Sequence, residues 1–472
     1  MSESPFAWKR WPQTERFLAD RYSELEQENA WAKDFTHRLR DRTGTILEDW
    51  VDHVRLNGSR VPHEVLRELG YKPRRGEDAT PSRRVYTHPG ADLPKLLVDP
   101  SAGAEAPVCL GVAIRVDQLA AFLAANRLDA PIHGHPLGPY RECTAAPGAV
   151  PFLVIERRGY DGFEPFPSSL AREGLLTPQR ARNILEAREI WQTRKRFWEG
   201  DDVAGFDHAE AAAKKMIELV GRDMACELVF EVERDYWQAR NRAAQAQKSR
   251  QDSLGLGWAN HDHHTFRCSR RNFHRLISVL ELLGFELREH FHAGEHAGWG
   301  AQVLEHAVTG IVVFADLDLA PEELTTDFAH QELAPLARPN TVGLWVALHG
   351  DSFLEAGMHH LEGQFEFDLA REGLERTAGI ATMKPFSDFP FLRQAFTKGE
   401  FWAVDPRRVA SAVDSGWITR EEAAKFLAEG AVGSHLEILQ RREGYKGFNQ
   451  QAVGAILSET DPRKLRIDSV GT

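Results

Sequence analysis

The sequence predicts an α+β protein in which two related, strand-rich units are joined by a helical connector. Three observations predict this class. A strand followed by Arg-Arg, Gly-Tyr and Gly-Phe occurs at 152–163 and again at 436–448. Short alternating apolar runs, typical of half-buried strands, are interleaved with amphipathic helical stretches in both halves. Residues 168–250 show helical periodicity without a Gly/Ser-rich or Pro-rich run, which favours packed helices over a flexible linker.

Length, charge and cysteine content limit the class of function. The 472 residues suffice for two or three domains. The net charge of -12 argues against a nucleic-acid partner held on a basic surface. No apolar run reaches the roughly 18 residues of a membrane span, and the N-terminus lacks the apolar core of a signal peptide. Four widely spaced cysteines favour a reducing compartment, so we expect a cytoplasmic protein.

The first half is expected to hold N-terminal helices and a non-catalytic unit. Residues 1–60 are predicted to be helical, including 45–56, where an amphipathic pattern favours a helix over a strand. Residues 61–167 are predicted to form the first unit, with strands at 84–86, 94–98, 108–116 and 152–156 and a helix at 118–126. Aligning the two Arg-Arg pairs of the repeat places Leu153 opposite Glu437, so the first unit lacks a carboxylate that the second unit has.

The second half, residues 251–472, is expected to be the catalytic unit. A strand at 262–267 leads into an amphipathic helix that ends near Gly284. Further strands are predicted at 300–305, 310–317, 342–348, 358–367 and 435–440, with a helix at 368–376 and a helical insert near 385–430.

Polar side chains concentrate in the run Asn260–Arg267, which reads NHDHHTFR. Successive side chains of a strand point to opposite faces, so His263, Thr265 and Arg267 share one face. The other face carries Phe266, which is expected to pack on the following helix. An imidazole with an arginine further along the same face suits a metal that binds an anionic substrate. The alternative is a histidine cluster with no role.

Two further strands each bring a candidate ligand to the same face. His360 shares its face with Glu362 and Gln364, and Glu437 shares its face with His435. Two histidines and a carboxylate with open coordination positions form the facial triad of non-haem Fe(II) oxygenases. The residues alone leave alternatives open. His359 could replace His360, Glu437 could pair with Arg441 or Arg442, and zinc fits the same ligands.

Several other residues are candidates for the walls of the predicted cavity. Gln302, on the strand 300–305, is predicted to face inward and to take part in catalysis. Thr265, Gln364 and Phe448 are predicted to bind substrate together with Arg267. Gln450 and Gln451, at the start of the last helix, are predicted to cover the mouth of the cavity.

Short motifs of the second half resemble two enzyme families. The segment HLEILQRREGYKGFNQQAVGAIL (435–457) resembles the last strand and tail of 4-hydroxyphenylpyruvate dioxygenases. DHHTFR (262–267) resembles the DHxxFR pattern of the 2-oxoadipate dioxygenase/decarboxylase family, and MHHL (358–361) is similar to that family's metal-histidine motif, aligned on His360. Both families belong to the vicinal oxygen chelate superfamily, which is built from βαβββ modules. The resemblance covers residues 250–460 in detail.

This resemblance implies tandem βαβββ modules that form a curved mixed sheet around a metal site. It implies Fe(II) held by His263, His360 and Glu437, with Arg267 binding a substrate carboxylate. The implied reaction is oxidative decarboxylation of a 2-oxo acid by O₂, giving a 2-hydroxy acid and CO₂. A dicarboxylic, 2-oxoadipate-like acid is favoured because Arg267 offers a planar fork for a second carboxylate.

Other functions remain open for the same fold. They are an aromatic 2-oxo acid dioxygenase, an extradiol dioxygenase, a Zn or Ni lyase and a metal-free binding protein. The expected partners are the small 2-oxo acid and O₂, with neither nucleic acid nor membrane. Self-association into a homo-oligomer is an expectation by analogy alone.

Overall fold

Two mixed β-sheets flanked by helices form the core of the computed structural model, which describes residues 8–74, 83–165, 177–292, 294 and 297–464. The first sheet has seven strands in the order β2-β3-β4-β1-β5-β7-β6. The second has nine, in the order β13-β14-β16-β12-β8-β11-β10-β9, with β15 paired to β16. This architecture confirms the predicted α+β class.

The first sheet and its helices occupy the first half of the chain. Its strands are β1 (Val51–Asn57), β2 (Lys72–Pro73), β3 (Arg84–Thr87), β4 (Lys95–Asp99), β5 (Cys109–Arg115), β6 (Tyr140–Ala146) and β7 (Phe152–Arg157). Its helices are α1 (Pro12–Glu28), α2 (Ala30–Thr43), α3 (His63–Glu68) and α4 (Leu119–Ala125). The described part of the connector, from residue 177 onwards, contains four helices: α5 (Pro178–Thr193), α6 (Asp202–Val220), α7 (Arg222–Gln238) and α8 (Arg242–Asp252).

The second sheet and its helices follow the connector. Its strands are β8 (His261–Arg267), β9 (Glu286–Phe291), β10 (Trp299–Glu305), β11 (Val312–Asp318), β12 (His360–Gln364), β13 (Ser387–Phe389), β14 (Leu392–Phe396), β15 (Glu400–Trp402) and β16 (Ala431–Arg441). Its helices are α9 (Phe273–Leu282), α10 (Thr341–His349), α11 (Phe367–Ala378), α12 (Pro406–Asp414), α13 (Arg420–Glu429) and α14 (Gln450–Glu459).

Each sheet consists of two βαβββ-type modules placed side by side. In the second sheet, β8-α9-β9-β10-β11 forms one module and β12-α11-β13-β14-β16 the other, and in both the first strand pairs parallel with the last. The antiparallel pair β8–β12 joins them. The first sheet repeats this plan with β1 to β4 and with β5 to β7, where the described residues 83–165 hold one strand fewer in the second module. The prediction of tandem modules is therefore confirmed by the strand order.

One face of the second sheet packs on helices in a large apolar core, and the other face carries the predicted ligands, with part of helix α14 beside them. Phe266 and Leu361 from the strands pack with Phe230 of α7 and Leu276 of α9 in one large apolar core. The helices α1 and α2 likewise pack on the first sheet in a separate core that includes Phe35. Because strand residues alternate, burying Phe266 in the helical layer turns its neighbours Thr265 and Arg267 to the opposite face.

Several predicted elements were wrong. Residues 51–57 form strand β1, not part of an N-terminal helix. Residues 341–349 form helix α10, not a strand, because Asp318 accepts a hydrogen bond from the Asn340 amide at its start (2.7 Å) and Gly350 ends it at a positive φ. The insert near 385–430 is helical only from Pro406, since 387–402 contributes strands β13, β14 and β15. Strands β6 and β9 were not predicted.

Two further features bear on the expected cellular setting. None of the helices in the described part of the chain combines the length and apolar character needed to cross a bilayer. All four cysteines are buried free thiols. The cytoplasmic location stays a prediction.

Candidate metal centre

Three central strands of the second sheet bring the predicted ligands together. In the β8–β12 pair, Thr265 lies opposite His360 and His263 lies opposite Glu362. In the parallel β12–β16 pair, Glu362 lies beside Glu437. Residues in register share a face, so His263, His360, Glu362 and Glu437 all point away from the helical layer.

The ligand atoms of His263, His360 and Glu437 converge within 4.8 Å of one another. Glu437 Oε2 lies 3.0 Å from His360 Nε2 and 3.9 Å from His263 Nε2. All three side chains are buried, and neither ring nitrogen of His360 makes a hydrogen bond within the described residues. Two imidazoles and one carboxylate around a common point suit a divalent transition metal.

The charges at this point fit a divalent cation. Glu362 and Glu437 are both buried, and within the described residues no lysine or arginine lies within 4.0 Å of either carboxylate. Buried carboxylates without a cation are strongly destabilising. A divalent metal beside His263 and His360 would neutralise two such charges, so the residues present fit the predicted Fe(II).

Without that cation, His263 carries the compensating charge. Burial by itself lowers the pKa of His263, but the carboxylates of Glu362, Asp262 and Glu437 outweigh burial and raise the pKa to about 10. Burial, followed by the charges of His263 and Arg267, holds the pKa of His360 well below its usual value. His360 is therefore neutral, which is the form that binds metal.

A cavity of about 50 Å³ opens on this side of the sheet. The predicted residues Thr265, Arg267 and Phe448 line it together with the three candidate ligands. Its other walls are largely apolar and come from the strands and from helix α14. They are formed by Phe291, Trp299, Phe314, Phe386, Phe396, Val453, Ile456 and Leu457. An apolar lining with a few converging polar groups is typical of a small-molecule site.

Arg267 is the cationic group of the cavity. Its side chain is 2% exposed and lies over the Trp345 ring, 5.5 Å from the ring centroid. Its Nε lies 3.7 Å from the carboxylate of Asp316, which also lines the cavity. Burial raises the pKa of Asp316 to about 7, although the Arg267 charge opposes the shift. Near neutral pH, therefore, Asp316 only partly compensates Arg267, which leaves charge for an anionic ligand.

Two of the predicted site residues lie outside the cavity. Gln302 pairs with Ala315, whose side chain packs in the helical layer, so Gln302 points to the opposite face from the ligands. Its amide donates hydrogen bonds to the backbone oxygens of Glu289 and Val303. The prediction that Gln302 faces inward was therefore wrong, because the inward positions of β10 are its neighbours Ala301 and Val303.

Gln364 shares the face of His360 but lies at the far end of β12. Its amide donates to Asp92 of the first half (3.0 Å) and to Asp262 (3.2 Å), and it lines a separate cavity between the two sheets. The backbone of Gln450 and Gln451 begins helix α14, but their side chains lie outside the described residues.

The alternative ligand His359 is held differently from His360. Its Nδ1 lies 3.1 Å from the backbone oxygen of Gly433, and its ring packs against Trp345. His359, His360 and His435 nevertheless form a second group whose ring nitrogens lie within 4.8 Å of one another. Since His360 and His435 line the cavity and His359 does not, the geometry favours His360.

Sequence reasoning missed the roles of two cavity residues, Gln394 and His435, and of Glu362 behind them. Glu362 lies behind His263, Gln394 hydrogen-bonds to both buried glutamates, and His435 stacks on His360 with ring centroids 4.6 Å apart. Strand alternation placed Glu362 and His435 on the correct face, but it does not predict which side chains on that face contact each other. Gln394 lies in a stretch predicted as helical, so no signal pointed to it.

The first sheet carries only part of this arrangement. By strand register, Leu153 corresponds to Glu437, as the aligned Arg-Arg pairs predicted, and His53 corresponds to His263, which was not predicted. Gly111 takes the place of His360, and its φ of 147° is one that residues with a side chain rarely adopt. Two of the three ligands are therefore absent from the first sheet.

Comparisons with known proteins give only distant similarity. No protein-family model matches the chain, and no curated protein matches it. A solved structure described as a glyoxalase superfamily protein from Ralstonia eutropha JMP134 is 10% identical, with a TM-score of 0.31 over 55% of this chain and 95% of its own. A variant of 4-hydroxymandelate synthase from Streptomyces coelicolor is 12% identical, with a TM-score of 0.25 over 88% and 98%.

Methylmalonyl-CoA epimerase from Mycobacterium tuberculosis is also similar in part. It is 11% identical, with a TM-score of 0.22 over 39% of this chain and 87% of its own. All three TM-scores are low, so the fold assignment rests on the strand order of the chain itself.

Proposed function

We propose that the chain is an Fe(II)-dependent dioxygenase of the vicinal oxygen chelate type that oxidatively decarboxylates a 2-oxo acid. The observation that carries this proposal is the convergence of His263, His360 and Glu437 at a largely apolar cavity, with Arg267 on the same face of β8. Two histidines and one carboxylate leave coordination positions open on the cavity side, as an oxygenase requires.

The protein groups hold the substrate, and the metal supplies the redox chemistry. When bound, Fe(II) supplies chelation of the 2-oxo acid and activation of O₂, so that the acid loses CO₂ and becomes oxidised. The apolar walls exclude water from the reacting groups. Arg267 lies at the same cavity as the triad and can bind a carboxylate at the far end of the substrate with its planar fork.

This placement of Arg267 favours a dicarboxylic 2-oxo acid. Arg267 Nε is buried and makes no hydrogen bond within the described residues, and a distal substrate carboxylate would supply that partner. Oxidation of such an acid by O₂ with loss of one CO₂ gives a 2-hydroxy acid one carbon shorter. Both atoms of O₂ then end in the product, one in the carboxylate formed from the keto carbon and one in the new hydroxyl, and CO₂ leaves with the oxygens of the substrate's own 1-carboxylate.

The walls support a second candidate, an aromatic 2-oxo acid. Phe291, Phe314 and Phe448 contact one another near His263, with ring centroids 4.9 to 6.0 Å apart. An aromatic substrate side chain could pack among these rings edge to face. The same chemistry at the metal would then act on a monocarboxylic substrate.

Oxygen uptake and CO₂ release with a panel of 2-oxo acids test the proposal. The protein is loaded anaerobically with Fe(II), and the panel contains dicarboxylic, aliphatic and aromatic acids. We expect substrate-dependent O₂ uptake with about one CO₂ per O₂, fastest with a dicarboxylate and absent in Glu437→Ala. Preference for aromatic acids would favour the second candidate. Bound zinc with no O₂ uptake from any acid would overturn both.

A further inference from the structure

Within the described residues, the buried carboxylate of Glu362, behind His263, has no lysine or arginine within 4.0 Å. Glu362 is 0% exposed, and its Oε2 lies 2.7 Å from His263 Nδ1, off the axis of the ring N–H bond. Its Oε1 accepts a hydrogen bond from Gln394 Nε2 (2.9 Å). Within the described residues, His263 is the only basic side chain within 4.0 Å of it. The charge of Glu362 is thus directed at the ring of a candidate ligand.

The neighbouring carboxylate of Asp262 plays a different part. Asp262 Oδ2 also lies near His263 Nδ1, at 3.4 Å, but its Oδ1 accepts from Arg441 Nη1 (2.9 Å) and from Gln364 (3.2 Å). Its charge is therefore already compensated by Arg441. The Arg441 charge reaches Glu362 only from beyond 4.0 Å, so Glu362 has the stronger electrostatic reason to depend on His263 and on whatever His263 binds.

Gln394 connects Glu362 to a second candidate ligand. The same Nε2 that donates to Glu362 also donates to Oε1 of Glu437 (3.2 Å), and Gln394 is 2% exposed. This bond occupies one oxygen of Glu437 and leaves Oε2 facing His360 and His263. The amide thereby selects the oxygen that is presented to the cavity.

We propose that Glu362 and Gln394 form a brace that positions His263 and Glu437 for metal binding and strengthens that binding. The charge of Glu362 beside Nδ1 acts on the His263 ring electrostatically and favours the orientation in which Nε2 faces the cavity, whereas Gln394 holds the carboxylate of Glu437 by a hydrogen bond. Groups that hydrogen-bond to metal ligands set their orientation and basicity in this way. The inference rests on the proposed metal centre, and it adds two positioning residues that do not touch the metal.

Metal affinity, measured without turnover, tests the brace. Metal-free wild type, Glu362→Gln and Gln394→Met are titrated anaerobically with Fe²⁺ against a chromogenic chelator. We expect affinity to fall about 10- to 100-fold in Glu362→Gln and about tenfold in Gln394→Met. The absorption spectrum of the Co²⁺-loaded protein should also change in both variants, because the ligands shift.

The matched control is Glu156→Gln. Glu156 is a buried carboxylate of β7 in the first sheet, where it pairs with Arg141 at 3.1 Å. Neutralising it removes a buried strand carboxylate without touching the metal centre. We expect this variant to bind Fe²⁺ like the wild type, even if its thermal stability falls.

The outcomes separate the brace from the proposed function. Wild-type Fe²⁺ affinity and an unchanged Co²⁺ spectrum in both brace variants would overturn the brace and leave the metal centre standing. A wild-type protein that binds no Fe²⁺ would overturn both. If Glu362→Gln does not fold, as judged by circular dichroism, Gln394→Met decides the question alone.

Discussion

Single residues distinguish the metal centre in the second sheet from its incomplete counterpart in the first. His53 in the first sheet occupies the position equivalent to His263, but Gly111 and Leu153 occupy the positions equivalent to His360 and Glu437. His53 is instead held by Asp52, which lies 2.7 Å from its Nδ1. The chain is therefore expected to hold one metal ion and not two.

Iron content after anaerobic loading checks this expectation. We expect about one Fe per chain in the wild type and almost none in His263→Ala or Glu437→Ala, since each removes a ligand. His53→Ala is the control, because it removes the corresponding histidine of the first sheet and should retain the iron. Loss of iron in His53→Ala with retention in His263→Ala would place the metal centre in the first sheet and contradict this expectation.

Arg267 allows a prediction about substrate choice. Arg267→Ala removes the planar fork, and a hydrogen bond to a charged group contributes about 1.5–3 kcal/mol. We therefore expect the KM for a dicarboxylic 2-oxo acid to rise about 10- to 100-fold, with a much smaller change for a monocarboxylic acid. Steady-state O₂ uptake with the two acids measures both. Equal increases for the two acids would remove the assigned role of Arg267.

At the residue scale, the sequence predicted facing directions better than contacts. Alternation correctly turned His263, Thr265 and Arg267 away from the helical layer, because a strand with one buried face has a strongly specified register. The same rule placed Gln302 on the inward face, but Gln302 faces the helical layer. Only its pairing with Ala315 in the structure shows which face it takes. Contacts such as that of Gln394 with Glu437 depend on strands far apart in the chain.

At the element scale, short apolar runs were the main source of error. The run VGLWVAL fits a buried strand or a buried helix equally well, and its periodicity does not separate them. In the structure it forms helix α10, whose successive residues Leu344, Trp345 and Val346 are all buried, so that the helix is buried on several sides. Strand β1 was missed for the converse reason, since VDHVRLN also fits one face of a helix.

The connecting helices depend on one buried ion-pair cluster. Glu233 of α7 is fully buried and bonds to Arg194 (2.7 Å) and Arg196 (2.8 Å), and Arg194 also donates to the backbone oxygen of Phe353. Burial alone raises the pKa of Glu233, but the charges of Arg196 and Arg194 outweigh it and lower the pKa to about 2. This cluster links the connector to the second half of the chain.

The lowered pKa of Glu233 fixes the sign of a pH effect. Its contribution to stability is fully present above the unfolded value near 4.5 and is lost as the pH falls from there towards 2. Glu233→Gln should therefore lower the thermal midpoint at neutral pH, because Arg194 loses its partner, at a cost of about 3–5 kcal/mol. The difference between variant and wild type should shrink between pH 4.5 and pH 3, as followed by circular dichroism. A constant difference over that range would contradict this account.

At the scale of the whole molecule, the two sheets share a plan and differ in chemistry. In each, an aspartate before the first histidine bonds to an arginine at the end of the last strand. Asp52 pairs with Arg157 and Asp262 with Arg441. The repeated Arg-Arg motif indicated in the sequence that the two halves are related, but it did not show these Asp–Arg pairs. The family resemblance implied that the modules share a sheet, but the residues alone did not predict their pairing, because it requires contacts between strands about a hundred residues apart, such as β8 and β12.

The most direct test of the metal centre is a crystal structure of the protein loaded anaerobically with Fe²⁺, with anomalous data collected at the iron edge. We expect one anomalous peak per chain, bound by His263 Nε2, His360 Nε2 and Glu437 Oε2, with Glu362 close to His263 Nδ1. A peak among His359, His360 and His435, a peak between Asp262 and Glu362, or no peak in the second sheet would contradict the account.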